Sequence, residues 1–314
     1  GLSKQGTPKF TPPDGVFVSQ GDGHLSDTPM GKLAAQFAAQ SWNIYVPAGT
    51  TAQTPLVIED LQDGHSRMAV MVDKGASLTI VEHHRSAAGF ANVDLQVHLA
   101  EDAHLTRIIV QDDGPDMVRV ATACIAAEVR ATLEQYTLSF GGALSRLETR
   151  LYAEGEDINA VLNGAYLLDG NRHCDMTSHI ALSSPNCTIR QAVKGVTTDK
   201  ARGVFQGKFH VERAAQHTDA EMRHDALMLS DTSQIRAKPE LEIYADDVAC
   251  AHGNTIGQLD ESALFYMRQR GIPLGQARAL LMEAFLAGVF DDMADEGMKE
   301  SLLAKVRDWL GAGK

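Results

Sequence analysis

Ala76-Ser77-Leu78-Thr79-Ile80, Ala103-His104-Leu105-Thr106-Arg107 and Ala131-Thr132-Leu133-Glu134-Gln135 echo one another, and each is followed by a strand-like run. Their leucines lie 27 and 28 residues apart. A period of that size belongs to solenoid coils, which bury their apolar faces only by stacking. Apolar and β-branched residues alternate here with polar ones, and leucine-rich and ankyrin signatures are absent. Alternation with period two turns one side chain into the stack and the next toward water. The expected fold is therefore mostly β, with a β-helix (β-solenoid) core. Both ends of such a stack need covers. A helix over Met30–Ser41, with Leu33, Phe37 and Ala38 on one face, and the C-terminal helices are the expected caps.

The first fifteen residues are polar and rich in Pro and Gly, which predicts a loose start. Ile44-Tyr45-Val46-Pro47, Leu56-Val57-Ile58 and Leu241-Glu242-Ile243-Tyr244 read as strands. A helix opens at Asp260-Glu261-Ser262 and stops at Gly271, where a left-handed C-cap is wanted. Pro273 sits near the start of the next helix, where its missing N–H does little harm. Ala277, Leu280, Leu281, Ala284, Phe285 and Gly288 follow helical spacing, as do Leu302, Leu303, Val306, Trp309 and Leu310. This divides the chain into an N-terminal segment (1–55), a β-helix core (56–257) and a helical C-terminal subdomain (258–314).

Composition narrows the class. With 28 Lys+Arg against 41 Asp+Glu, the formal charge is −13. That argues against a general nucleic-acid or anionic-membrane binder, both of which need a basic face. No signal peptide or long apolar run is seen, and a cytoplasmic location is expected. Cys124, Cys174, Cys187 and Cys250 lie far apart, with no C-x-x-C, so we expect four reduced and mostly buried thiols, Cys124 among the buried ones.

The chemistry-bearing candidates are few. Cys250 and His252 sit in a segment rich in Gly, Asn and Asp, which reads as a turn. If the spacing is that of a strand, both side chains share one face, within reach of one metal or cluster. Thiolate and imidazole suit Fe–S chemistry, but two ligands do not hold a cluster alone. Cys174 and Cys187 flank His179 and a Ser183–Asn186 turn, and read best as residues stacked between coils. His83 and His84 point to opposite faces of a strand, while His84, His98 and His104 could line one outer surface. No zinc signature, P-loop, G-x-S-x-G elbow or dinucleotide fingerprint occurs. The expectation is a chain without stoichiometric metal or ATPase activity.

Four segments in order carry a resemblance to a known family. They are Asp199-Lys200-Ala201-Arg202-Gly203-Val204-Phe205-Gln206-Gly207, Ala215-Gln216-His217-Thr218-Asp219-Ala220, Lys238-Pro239-Glu240-Leu241-Glu242-Ile243, and the Cys250-x-His252 segment with the helix after it. They resemble the SufB/SufD family, the scaffold subunits of the SUF iron–sulfur cluster assembly machinery. SufB-like chains carry EHEATTS where this chain reads Cys250 to Gly257, and a cysteine in the rung that here runs from Gln216 to Met222. Both differences favour the SufD side of the family. Leu182 stands where many relatives place a histidine, which weakens any second ligand set around Cys174 and Cys187.

The resemblance implies a helper subunit, not an enzyme. It would pair with a SufB-like subunit and hold a SufC-like ATPase through the C-terminal helices, with Leu264, Phe265, Leu281, Phe285 and Trp309 as contact candidates. His252, and with it Cys250, would face a SufB cysteine where the nascent cluster forms. No cofactor would be stably bound, and any cluster would be transient and shared. Family members carry a helical region ahead of the core, so a truncated or short form is implied. Two other readings compete. A β-helix polysaccharide lyase or esterase would need clustered carboxylates or Ca²⁺ and aromatic platforms, and aromatics are only 6% here. A purely structural homodimer would pair the same surface with itself.

Overall fold

The computed structural model describes residues 7–21, 26–38, 40–61 and 63–311. Among these the strands begin with β1 (Lys9–Thr11), β2 (Phe17–Gln20), β3 (Ser41–Val46), β4 (Leu56–Glu59), β5 (Gly64–Val72) and β6 (Ser77–His84). The middle coils hold β7 (Ala88–Leu99), β8 (His104–Gln111), β9 (Asp116–Ala127), β10 (Thr132–Ser139), β11 (Leu144–Ala153) and β12 (Asn159–Leu168). The last are β13 (His173–Leu182), β14 (Thr188–Thr197), β15 (Arg202–Val211), β16 (Asp219–Met228), β17 (Gln234–Ile243) and β18 (Ala249–Gly257). The helices are α1 (Pro29–Phe37), α2 (Glu261–Gln269), α3 (Leu274–Ala287) and α4 (Glu296–Gly311).

Two nine-stranded sheets face one another. One runs β1-β4-β6-β8-β10-β12-β14-β16-β18, and the other β17-β15-β13-β11-β9-β7-β5-β3-β2. All pairings are parallel except β1 with β4 and β2 with β3. This is a β-solenoid, and the echoed phrase is one position in successive coils. Leu78, Leu105 and Leu133 are register partners, and the row continues through Ala160, Ile189 and Ala220 to Cys250. Its members from Leu78 to Ala220 are buried in the main core, which forms because apolar inward side chains of successive coils stack on one another.

One corner is a ladder of left-handed residues. Gly49, Gly75, Asp102, Arg130, Asp157, Asn186 and His217 all have φ between 55° and 70°. Each donates its N–H to a carbonyl of the following coil, at 2.6–3.1 Å. Left-handed backbone at non-glycine residues persists only where the surroundings fix it, and here the neighbouring coil does so.

Part of the lumen is polar. Glu82 accepts Arg107 Nε at 2.5 Å, Arg107 Nη1 donates to Gln135 at 3.0 Å, and His84 Nε2 lies 3.0 Å from Glu82. Arg119 grips Asp113 at 2.6 and 2.8 Å and donates to the Leu61 carbonyl at 2.7 Å. Buried charges persist because each has partners.

These groups predict an acid-labile fold. Burial pushes the His84 imidazole down, so it is neutral inside. The unfolded chain binds that proton below about pH 6.5, so stability present at pH 7 falls as the pH drops below that value. Burial alone would raise the Glu82 carboxyl, but Arg107 and His84 outweigh burial and hold it at about 2. Its contribution is complete above the unfolded value, about 4.3, and is lost toward pH 2. The urea midpoint should fall from pH 7 to pH 5, with His84 accounting for up to about 2 kcal/mol. His84→Gln should flatten that slope. An equal slope in the variant would contradict this account of His84.

Several expectations need correction. Helix α1 ends at Phe37, and β3 already begins at Ser41. Leu33 and Phe37 are exposed, whereas Gly31 and Ala34 are buried, so the helix presents a different face from the one its apolar spacing suggests. Residues 1–6 lie outside the described residues, but Lys9–Thr11 form a strand, because β4 has a free edge to pair. The helices do not cap the ends. Helices α3 and α4 lie along the outer face of one sheet, with Met282, Leu286, Leu302, Val306 and Leu310 packed on Ile108, Val110, Leu138 and Val196. The outward residues of those strands are apolar, so the sheet itself is the surface that needs covering. Helix α1 lies against the other sheet, where Asn92 donates to the Met30 carbonyl at 2.8 Å. In α3 the buried residues are Ala277, Met282 and Leu286, and Leu280 remains exposed.

Candidate functional site

The far end of the solenoid is open. Strands β17 and β18 are the outermost in their sheets, and the side chains of β18 are exposed except for half-buried Cys250. Cys250 and His252 lie on β18, not in a turn. Ladder pairing with β16 runs through Gly253 and Asn254, since at an unpaired edge those residues cost little packing.

Alternation puts Cys250, His252 and Asn254 on the inward face. Their register partners Ala220, Met222 and His224 are all buried in the preceding coil. With no further coil above them, the three residues form the mouth of the lumen. Cys250 packs against the main core, and burial pushes its thiol up. A protonated thiol is a poor ligand, and a cluster would have to draw out its proton. His252 is exposed and makes no hydrogen bond or ion pair among the described residues. Its imidazole is therefore open to an incoming group. Among the described residues no three His, Cys, Asp or Glu are arranged to hold a metal ion.

The other candidates are scattered. Cys174 is buried in the core, and burial pushes its thiol up to about 12. Cys187 is also buried, at a corner, beside the Ser184 carbonyl at 3.4 Å. Leu182 lies in the same core. Cys124 is not buried as expected. Its side chain faces outward from β9 beside Gln96 and Arg150 in register, and is half-exposed. His84 is fully buried beside Glu82, so the surface trio with His98 and His104 does not form. A polar partner inside the lumen makes an inward histidine tolerable, which alternation alone does not reveal. His98 and His104 lie on opposite sheets.

The helical contact candidates divide by exposure. Leu264 is 3% exposed and turned inward, so no partner could reach it. Phe265, 65% exposed, is the accessible member of that pair. Leu281 is half-buried, while Phe285 and Trp309 pack against the flank core, with Lys194 over the Phe285 ring at 5.1 Å. Tyr266, Leu274 and Leu280 are exposed and were missed. The signal was available: Leu280 is apolar one turn beyond buried Ala277, but sequence cannot say which side of a helix meets the sheet. Asp260 caps α2 by accepting from Ser262 and Ala263 N–H groups, and Gly271 ends it at φ 85°.

Residues 57–285 match the family described as SUF system FeS cluster assembly, SufBD core domain. The chain is similar to the iron–sulfur cluster assembly protein SufD of Escherichia coli, 30% identical over 293 residues, covering 90% of this chain and 69% of that protein. It is 31% identical over 268 residues to an iron–sulfur cluster assembly SufBD family protein of Synechocystis sp., covering 80% of this chain and 59% of the relative. Similarity to the SufD protein of Bacillus subtilis is 26% over 280 residues, covering 84% of this chain and 62% of the relative. The chain thus spans roughly three-fifths to two-thirds of the length of these relatives. Among the described residues no helix is long and apolar enough to cross a membrane.

Proposed function

The chain belongs to the SufBD family of the SUF iron–sulfur cluster assembly system, and from that premise we propose that it is a SufD-type helper subunit in the cytoplasm. It pairs with a SufB-like subunit through the open end at β17 and β18. It holds a SufC-like ATPase on the exposed face of α2 and α3, and it hydrolyses no ATP itself. The iron–sulfur cluster is its cargo, formed where the mouth meets the partner, and no cofactor is stably bound.

The observation that carries this reading is the placement of His252. It ends an inward row on an exposed edge strand, beside Cys250, with its imidazole unengaged. A lone pair there can ligate iron or relay a proton while partner thiolates supply the remaining ligands. An unpaired edge is itself a template for another chain. Exposed Ile243, Tyr244 and Ile256 add apolar area around it. The same surface can take a second copy when the SufB-like partner is absent.

Co-expression with SufB-like and SufC-like subunits tests this. All three should elute as one complex on size exclusion. Elution of the chain apart from both would contradict the assignment.

A further inference from the structure

Asn254, two residues beyond His252, is fixed from inside the solenoid. Tyr166 is fully buried in a seat made by two glycines: a Cβ on Gly195 would lie 2.0 Å from its ring, and one on Gly203 would lie 2.5 Å away. The Tyr166 hydroxyl lies 2.9 Å from His224 Nε2, and His224 Nδ1 lies 2.8 Å from Asn254 Oδ1. Phe205 stacks on the His224 ring at 5.0 Å and 7°, which keeps the ring from turning. Burial pushes the His224 imidazole down, so it is neutral at neutral pH.

The polarity of this chain follows from its donors. A neutral imidazole carries one N–H and one lone pair. The buried Tyr166 hydroxyl finds His224 as its hydrogen-bond partner among the described residues, and an unspent buried donor costs about 1–3 kcal/mol. The hydroxyl therefore donates to Nε2. The ring proton sits on Nδ1 and is donated to the Asn254 oxygen. Asn254 is held by its oxygen, and its amide N–H groups, on an exposed residue of the mouth, make no hydrogen bond among the described residues. Along the strand Asn254 and His252 are about 6.6 Å apart on one face.

We infer that Asn254 is a hydrogen-bond donor of the assembly site, aimed by Tyr166 and His224, and that it receives anionic sulfur, the thiolate or sulfide of a growing cluster. This rests on the reading of His252 given above. An N–H donor stabilises negative charge on sulfur, which gathers as the cluster is built or reduced. Hydrogen bonds to cluster sulfurs also set reduction potentials. His224 and Tyr166 are positioning residues, acting through Asn254.

Two substitutions of Asn254 separate this role from a structural one. Asn254→Ala removes the donor, while Asn254→Asp keeps an oxygen for His224 but presents a carboxylate to the sulfur. Both would be examined in the complex with the SufB-like and SufC-like subunits, beside His252→Ala. Loss of one good hydrogen bond should slow cluster formation by Asn254→Ala roughly 3- to 10-fold and move the cluster potential to more negative values. Asn254→Asp should be slower still. Wild-type rate and potential in Asn254→Asp would show that the residue only braces His224, and would overturn the inference while a slow His252→Ala left the assembly site standing. Wild-type behaviour of both His252→Ala and Asn254→Ala would remove the site and the inference together.

Discussion

Asp113→Ala should lower the folding stability by about 3–5 kcal/mol. The carboxylate is almost wholly buried and takes Arg119 Nε and Nη2, Gln111 Nε2 at 2.8 Å and the Ser86 N–H at 2.8 Å. Its own carbonyl accepts Arg172 at 2.7 Å. Removing it strands the guanidinium of Arg119, which has no exposed surface and cannot shed its charge. The effect is large because the other partner stays behind; the pair as such can be worth little against a well-packed apolar substitute. The double variant Asp113→Leu/Arg119→Met should therefore recover much of the loss. Urea denaturation followed by circular dichroism would measure both. A loss under about 1 kcal/mol for Asp113→Ala would mean that water reaches Arg119.

The second large effect is expected on association. Phe265→Asp and Leu280→Asp place carboxylates on side chains that are 65% and 42% exposed. Neither side chain holds the flank core, so stability should move by no more than about 0.5 kcal/mol. If α2 and α3 carry the ATPase, an aromatic anchor at the centre of the contact is worth about 2 kcal/mol or more, which is about 30-fold in affinity per site. Together the substitutions should abolish capture of the SufC-like subunit, as read by titration calorimetry. Unchanged affinity in the double variant would move the docking surface elsewhere. Deletion of α4 would be a poorer test, because Leu302, Val306 and Leu310 are buried against the sheet.

The solenoid was legible in the coils where the inward row is leucine, at Leu78, Leu105 and Leu133. It faded at Ala160, Ile189, Ala220 and Cys250, where the same position holds side chains of different size. The corner ladder was harder to read, because Gly, Asp, Arg, Asn and His share only a backbone conformation there. Its steps of 26, 27, 28, 27, 29 and 31 residues, from Gly49 to His217, follow the coil period, so spacing was the signal and residue identity was not. The buried positions of His84, Glu82 and Arg119 were invisible for a related reason. Alternation assigns a face, but a polar residue turned inward is tolerated only through its partners: Glu82 through Arg107 one coil on, His84 through Glu82 on its own strand, and Arg119 through Asp113 and the distant Leu61 carbonyl. The buried face of α4 was legible at Leu302, Val306 and Leu310, but that of α1 was not, and spacing did not say which sheet any helix covers. At the mouth, the pairing of Cys250 with His252 came from their spacing. Asn254 was not found, since its tie to His224 and Tyr166 spans 30 and 88 residues of chain, the sum of the two hydrogen-bonded separations of 30 and 58.

Iron and sulfide content of the three-subunit complex is the most direct measure of what the mouth does. His252 is exposed and engages no described neighbour, so His252→Ala should fold, bind the SufB-like subunit and bind the SufC-like ATPase near wild type. Its complexes, assembled under the same iron and sulfur supply, should hold several-fold less iron and sulfide than wild type. Wild-type iron and sulfide in those complexes would contradict the assignment of the open end as the place where the cluster is made.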